Sequence, residues 1–360
     1  MASRSFRVFL CVVLAVGTLY GALYGTTRAL SAAVRPPKLE YQMATLPNGL
    51  TVVMQEDHST PIVHSQLWYH VGSKNEKTGR TGFAHLFEHM MFKGSKNVEP
   101  EGHTSMIASV GGQSNAYTTD DVTVFWQTVP AQYLPLILWL EGDRMATLRI
   151  DKDTFANERA VVKEERRMRV DNQPFGRLSE IIFDQAFSVH PYKHSTIGSM
   201  TDLEAAPVDD VRAFYNTYYV PENATLALVG DFDSTQALQL VTQYLGRVPK
   251  AEKPVPRDIP KEPPTTREKR VTLQEGWPLP VVVVAYHITY DGHADSYPLH
   301  IASKVLSDGQ SSRIYKKLVY DQRIALAASC EANIVEDPNL FYAVAFVQPD
   351  SLSGYLAPVS

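Results

Sequence analysis

The stretch Phe83-Ala84-His85-Leu86-Phe87-Glu88-His89-Met90 carries the pattern of an amphipathic helix. At about 100° per residue, His85 and His89 sit one turn apart with Glu88 beside them, while Phe83, Leu86, Phe87 and Met90 fall within an arc of about 140°. Packing the apolar arc on a core aims the imidazoles and the carboxylate at a cleft wall. Thr81 is the expected N-cap and Gly94 the expected stop of a helix over 81–93. Two imidazoles to hold an ion, an open position for water and a carboxylate to take that water's proton are what a hydrolytic zinc site needs. A solvated His/Glu face is the plainer alternative.

A second helix, expected over 153–169, bears on that choice. Glu158, Val161, Val162 and Glu165 share one narrow face of it, and Arg159, Lys163, Glu164, Arg166 and Arg167 occupy the other. Two carboxylates therefore lie on the apolar side. Burying an ionised carboxylate is costly unless it is paired or binds a metal, so Glu158 and Glu165 require a cation, whereas Glu164 can pair in solvent. A buried carboxylate bonded to an arginine remains the alternative. Helical phase favours Glu165 over Glu164 as a third ligand.

With these residues in view, the chain resembles the pitrilysin/insulinase family of zinc peptidases, which carry the inverted His-x-x-Glu-His motif. Besides 85–89 and Glu158-Arg-Ala-Val-Val-Lys-Glu-Glu165, the resemblance takes in Leu46-Pro-Asn-Gly-Leu50, Gly111-Gly-Gln-Ser-Asn-Ala-Tyr-Thr118, His190-Pro-Tyr-Lys-His194, Tyr219-Val-Pro-Glu-Asn-Ala-Thr225 and Gly230-Asp231. These motifs stand in family order from about residue 44 onward. The resemblance implies one Zn²⁺ per chain held by His85, His89 and Glu165, with Glu88 as general base and Glu158 as a supporting carboxylate. It implies that 112–118 forms an edge strand on which a substrate peptide lies, adding itself to the sheet through main-chain hydrogen bonds. Asn115, Ala116 and Tyr117 are then the candidate substrate contacts; an ordinary strand after a Gly-Gly turn is the alternative.

Organisation is legible at coarse resolution. Strands are expected at 50–55, 62–69, 122–129 and 225–229, and helices at 81–93, 102–110, 131–146 and 153–169, an α+β pattern around one sheet. The expected domains are an N-terminal zinc-binding domain over 44–248, a Pro-rich linker over 249–266 with six prolines between Pro249 and Pro264, and a second domain over 267–360. In the second, 281–286 reads as a strand and 297–306 and 311–319 as helices. Family members build each half from two related mixed α/β-roll domains of the pitrilysin and mitochondrial-processing-peptidase type. The second is expected to be cut short here, with 351–360 resembling the start of a helix.

In the family, an Arg and a Tyr that bind the substrate carbonyl come from the half without the zinc motif. The matching stretch, Leu318-Val-Tyr-Asp-Gln-Arg-Ile-Ala-Leu326, has Val319 and Leu326 in their places. A second half or partner subunit supplying the pair is therefore implied.

The 360 residues, 44% hydrophobic and 20% charged, suit two domains each with its own core. A formal charge of -5 gives no reason to expect nucleic acid. The first 33 residues read as a signal peptide: Arg4 and Arg7 precede an apolar run over 8–23, followed by small residues at Ala29, Ser31, Ala32 and Ala33. Export to a bacterial periplasm is the expectation, with an uncleaved N-terminal anchor as the alternative and the only expected membrane contact. Cys11 lies in the apolar run, so after cleavage Cys330 stands alone and no intramolecular disulfide can form. The functional expectation is a zinc endopeptidase acting on peptides or unfolded proteins. The alternative is a non-catalytic or partner-dependent binding subunit of a two-half peptidase. An intact base argues for the first, and a zinc store would have no use for Glu88.

Overall fold

A computed structural model describes residues 38–349 of the chain, and from Tyr41 onward they belong to one unit. The expected signal segment, Cys11 and the helical start at 351–360 lie outside the described residues. In chain order, the strands are β1 (Gln42–Thr45), β2 (Thr51–Glu56) and β3 (Ile62–Tyr69). Two helices follow, α1 (Phe83–Met90) and α2 (Gly102–Ser109), then the hairpin β4 (Gln113–Thr118) and β5 (Thr123–Pro130). Next come α3 (Leu134–Thr147), α4 (Lys152–Arg166), α5 (Leu178–Ala186), α6 (Met200–Ala205) and α7 (Val208–Tyr218). Strand β6 (Ala224–Gly230) and α8 (Ser234–Tyr244) complete this part; β7 (Val281–His287), α9 (Ser296–Ser307), β8 (Ala325–Ala332) and β9 (Leu340–Val347) form the rest. The α+β expectation holds.

The first sheet has six strands in the order β1-β2-β6-β3-β5-β4. Only the β2/β6 pair is parallel, which the long crossover between them permits. Alternation sorts β3 cleanly: Val63, Ser65, Leu67 and Tyr69 are buried, while His64, Gln66 and Trp68 lie half-buried on the other face. The helices pack on the buried side. There Phe87 of α1 stacks on Phe214 at 5.8 Å and meets Tyr219 at 5.2 Å, and Tyr219 in turn meets Tyr69 of the sheet at 4.9 Å. This aromatic chain fixes α1 to the sheet. As expected, Phe83, Leu86, Phe87 and Met90 are all buried.

The second sheet has the order β7-β9-β8, antiparallel throughout. Its core joins Leu340 and Val344 to Ile182, Phe187 and Tyr192, so the segment around α5 packs here although the first sheet is completed only later in the chain. A charged cluster also ties the two parts. Lys74 is buried, with its Nζ 2.9 Å from Asp121 Oδ1 and Glu336 Oε2 and 3.0 Å from Asp337 Oδ2. Among the described residues no helix is long and apolar enough to cross a membrane.

Several expectations need correction. The motif helix spans 83–90, not 81–93, and Thr81 is not its N-cap. Gly82 takes that position at φ 93, and the Glu76 carboxylate accepts the N–H groups of Gly82 and Ala84, each at 2.8 Å. Thr81 instead donates its hydroxyl to Asp202. Beyond Met90 the chain tightens through short turns to Gly94, which sits at φ 96. Helix α4 is capped by Asp151, whose side chain accepts the Thr154 N–H, and ends in a π-helical turn over Arg167–Asp171. Val161 is 48% exposed rather than on the buried face. Arg166 is buried rather than solvated, because Glu180 and the Gly198 carbonyl satisfy its guanidinium. The buried face of α4 is thus centred on Glu158, Val162 and Arg166. The segment expected as a helix over 311–319 is a π-helical turn over Tyr315–Asp321.

Candidate metal centre

Two helices meet at the site. From α1 come His85 and His89, one turn apart, with ring centroids 4.9 Å from each other. From α4 comes Glu165, whose Oε2 lies 3.2 Å from His89 Nε2 and 3.7 Å from His85 Nε2. One donor atom from each of the three falls within 4.8 Å of the others. Donors about 2.0–2.1 Å from a tetrahedral ion stand roughly 3.3 Å apart, so this set has the span of a zinc shell and is composed of zinc's preferred ligand types.

Each carboxylate oxygen of Glu165 has its own role. Oε2 faces the imidazoles, and Oε1 takes the Arg169 guanidinium at 2.6 Å, an i,i+4 pair at the end of α4. The arginine-bonded alternative is therefore realised by one oxygen while the other stays with the histidines. Glu164 points away and pairs with Arg167 in solvent at 3.0 Å, as helical phase indicated.

Glu158, almost fully buried, sits behind His89. Its Oε2 is 3.7 Å from His89 Nδ1, and its Oε1 is 3.3 Å from Lys93 Nζ. The first distance is long for a hydrogen bond but short for a charge interaction. Burial of His89 favours its neutral form, yet the negative charges of Glu158, Glu165 and Glu88 outweigh this and raise its pKa. For His85, burial and the charge of neighbouring His89 prevail over Glu165, and its pKa falls to about 4. A neutral imidazole is the form that donates a lone pair to a metal.

Glu88 stands on the same face of α1. Its Oε2 accepts the Thr118 hydroxyl at 2.6 Å. Burial raises the pKa of Glu88, and the Thr118 hydrogen bond works against that rise. An elevated carboxylate pKa suits a group that must take and return a proton near neutrality.

Thr118 ends β4, an outer strand of the sheet as the resemblance implied. Thr119 donates its N–H to the Val122 carbonyl across the hairpin. In an antiparallel ladder the pointing direction alternates, so the main-chain groups of Ala116 and Thr118 face the open edge. The Ala116 N–H is met there by the Asn115 side chain at 2.8 Å. Tyr117 points to the opposite face of the sheet, edge-on to Trp68 at 6.3 Å. Of the three candidate contacts, Ala116 thus offers its backbone beside the Glu88 face, while Asn115 and Tyr117 carry their side chains on the far face.

The sequence reading had no access to Thr118 as a partner of Glu88, to Glu76 as the cap of α1, or to Arg169 on Glu165. Only the last leaves a local trace, the i,i+4 spacing. A concavity of about 460 Å³ on the open sheet face, lined by Trp68, His70, Asn223 and Arg257 among others, shares no lining residue with this cluster.

The chain is similar to known proteins in sequence and in fold. The family profile described as insulinase (peptidase family M16) matches residues 51–199, and that described as peptidase M16 inactive domain matches 206–356. The zinc protease PqqE of Helicobacter pylori is 32% identical over 314 residues, covering 86% of this chain and 71% of that protein. The beta subunit of the mitochondrial-processing peptidase of Saccharomyces cerevisiae is 26% identical over 243 residues, covering 67% and 52% respectively. The crystal structure of a protease from Helicobacter pylori superposes with a TM-score of 0.82 at 33% identity, covering 87% of this chain and 76% of that one.

Proposed function

The chain belongs to the insulinase family, peptidase family M16, as a zinc metallopeptidase, and from that premise we propose that it is an endopeptidase cutting peptides or unfolded proteins, with Glu88 as the general base. The observation that carries this reading is the convergence of His85, His89 and Glu165 within 4.8 Å beside Glu88. We assign one Zn²⁺ per chain to those three residues. Bound there, zinc supplies Lewis acidity: it lowers the pKa of a water and polarises the scissile carbonyl.

The chain's own groups do the rest. Glu165 holds its metal-facing oxygen in place by giving the other to Arg169, and Glu158 orients His89 from behind. Glu88 accepts the proton of the attacking water and delivers it to the leaving amine. The peptide lies along β4 and pairs with the outward backbone of Ala116 and Thr118, so that recognition rests on main chain rather than on one side chain.

We further propose that a second M16-type half or subunit completes the site with the Arg and Tyr that Val319 and Leu326 do not provide. In support, Leu326 stands 53% exposed on β8, and one relative bears the name of a subunit. For the cell, we propose export to the periplasm on the strength of the arginine-flanked apolar run over 8–23; N-terminal sequencing of the mature protein tests it.

The deciding experiment is cleavage of an internally quenched peptide by wild type and Glu88→Gln, each alone and with a co-expressed second subunit. Chelator-sensitive cleavage that Glu88→Gln abolishes is expected. Cleavage that survives either the chelator or the substitution overturns the mechanism. A wild type that binds peptide but cuts none in either arrangement favours the binding-subunit alternative.

A further inference from the structure

Two functions meet in Thr118. Its hydroxyl donates to Glu88 Oε2 at 2.6 Å, and among the described residues it is the side chain that hydrogen-bonds this carboxylate. Its main chain, by alternation from the Thr119–Val122 bond, faces the open edge of β4. Thr118 is also the last strand residue before a turn that is itself pinned. Thr119 Oγ1 accepts the N–H groups of Asp121 and Val122, and the Thr119 carbonyl accepts the Ser73 N–H. The hydroxyl is therefore held at a fixed height opposite α1.

We propose that Thr118 is the positioning residue of the base: it holds one oxygen of Glu88 so that the other faces the attacking water. The proposal rests on the peptidase reading above. Its physical content is simple. A glutamate on a helix has three side-chain torsions and sweeps several rotamers, few of which present an oxygen to water at hydrogen-bonding distance. A single charge-assisted bond from a residue fixed by the sheet selects among them. The donor belongs to the strand proposed to pair with substrate, so the base is held in register with the peptide edge.

A threonine that only filled a strand position would behave otherwise. Valine keeps its branched shape and strand preference, so replacement would leave turnover alone. Serine keeps the hydroxyl and loses the methyl.

The test compares Thr118→Val, Thr118→Ser and Glu88→Gln with wild type, all zinc-loaded, on an internally quenched peptide with the second half present if turnover needs it. Thr118→Val is expected to lower kcat on the order of ten-fold with KM unchanged, and Thr118→Ser to stay within about two-fold of wild type. Zinc content should be equal in all four proteins. Wild-type kcat in Thr118→Val, a loss that appears in KM instead, or equal impairment in Thr118→Ser would each overturn the proposal. Failure of the underlying reading is distinct: Glu88→Gln would then cleave like wild type. A second readout needs no turnover. Crystals of metal-free Thr118→Val should show the Glu88 carboxylate swung from its wild-type position, and an unmoved carboxylate overturns the proposal.

Discussion

Glu165 Oε2 lies 3.2 Å from His89 Nε2, across the gap between two helices that share no local sequence pattern. A proton between these atoms makes an ion pair; a zinc ion bonded to both makes them one edge of a coordination tetrahedron. The two readings differ in what happens when the carboxylate is removed.

If the residues hold metal, purified wild type contains about one Zn²⁺ per chain, and Glu88→Gln keeps it. His85→Ala and Glu165→Gln lose it, while Glu164→Gln, altered in a residue paired with Arg167 in solvent, retains it. Elemental analysis of the five proteins decides the matter. Equal occupancy in Glu165→Gln and Glu164→Gln would sink the ligand assignment.

Substrate pairing along β4 can be probed without touching the zinc residues. Ala116→Pro deletes an N–H that faces the open edge, where proline is tolerated in a sheet. Binding of a non-cleaved peptide to the variant should weaken by about ten-fold, the worth of one well-made hydrogen bond, with zinc retained. Unchanged affinity would remove β4 from the substrate path.

Lys74 is the cation on which Asp121, Glu336 and Asp337 converge. Lys74→Met leaves the buried Asp121 without its cation, and because Glu336 and Asp337 are partly exposed and screened the expected loss is about 1–3 kcal/mol. Urea unfolding measures the loss. A change below about 1 kcal/mol would mean that the cluster is held apart by solvent and does not join the two sheets.

A pH signature is expected from Glu262. Burial of Glu262 opposes its ionisation, but the Ser188 hydroxyl and the N–H groups of His190, Val189 and Ser188 prevail and lower its pKa to about 2. A carboxylate depressed in the folded state adds stability above its unfolded pKa of about 4.3, and loses that contribution as pH falls through the interval toward 2. The melting temperature of wild type should therefore fall more steeply than that of Glu262→Gln between about pH 4.5 and 2.5. Because Glu262 is largely solvent-screened, the difference will be small. Parallel curves would show that its contacts do not contribute.

Much of the site was legible in the sequence because its parts are periodic. His85, Glu88 and His89 share a helical face by spacing alone, and the same arithmetic put Glu158 and Glu165 on the buried side of α4 and Glu164 outside. The arithmetic failed where burial is decided by a partner. Val161, apolar and placed on the predicted face, is exposed because the packed stripe is centred elsewhere. Arg166, assigned to solvent by its charge, is buried because Glu180 and Gly198 receive it. Nothing within one helix could reveal either. The same holds for Thr81, a residue type suited to capping, whose hydroxyl is taken by Asp202 while Gly82 holds the cap position.

The sequence by itself determined the α+β class, the helix that presents two imidazoles and a carboxylate, and the choice of Glu165 over Glu164 as the carboxylate turned inward, since these follow from residue type and a fixed angular step along one element. Tertiary structure decided which groups those side chains meet. It set the Thr118 hydroxyl on Glu88, and Lys74 among carboxylates from two other segments, around Asp121 and Glu336. Such contacts join segments far apart in the chain, where no period relates one residue to the next, so they exist only once the sheet has brought those segments together.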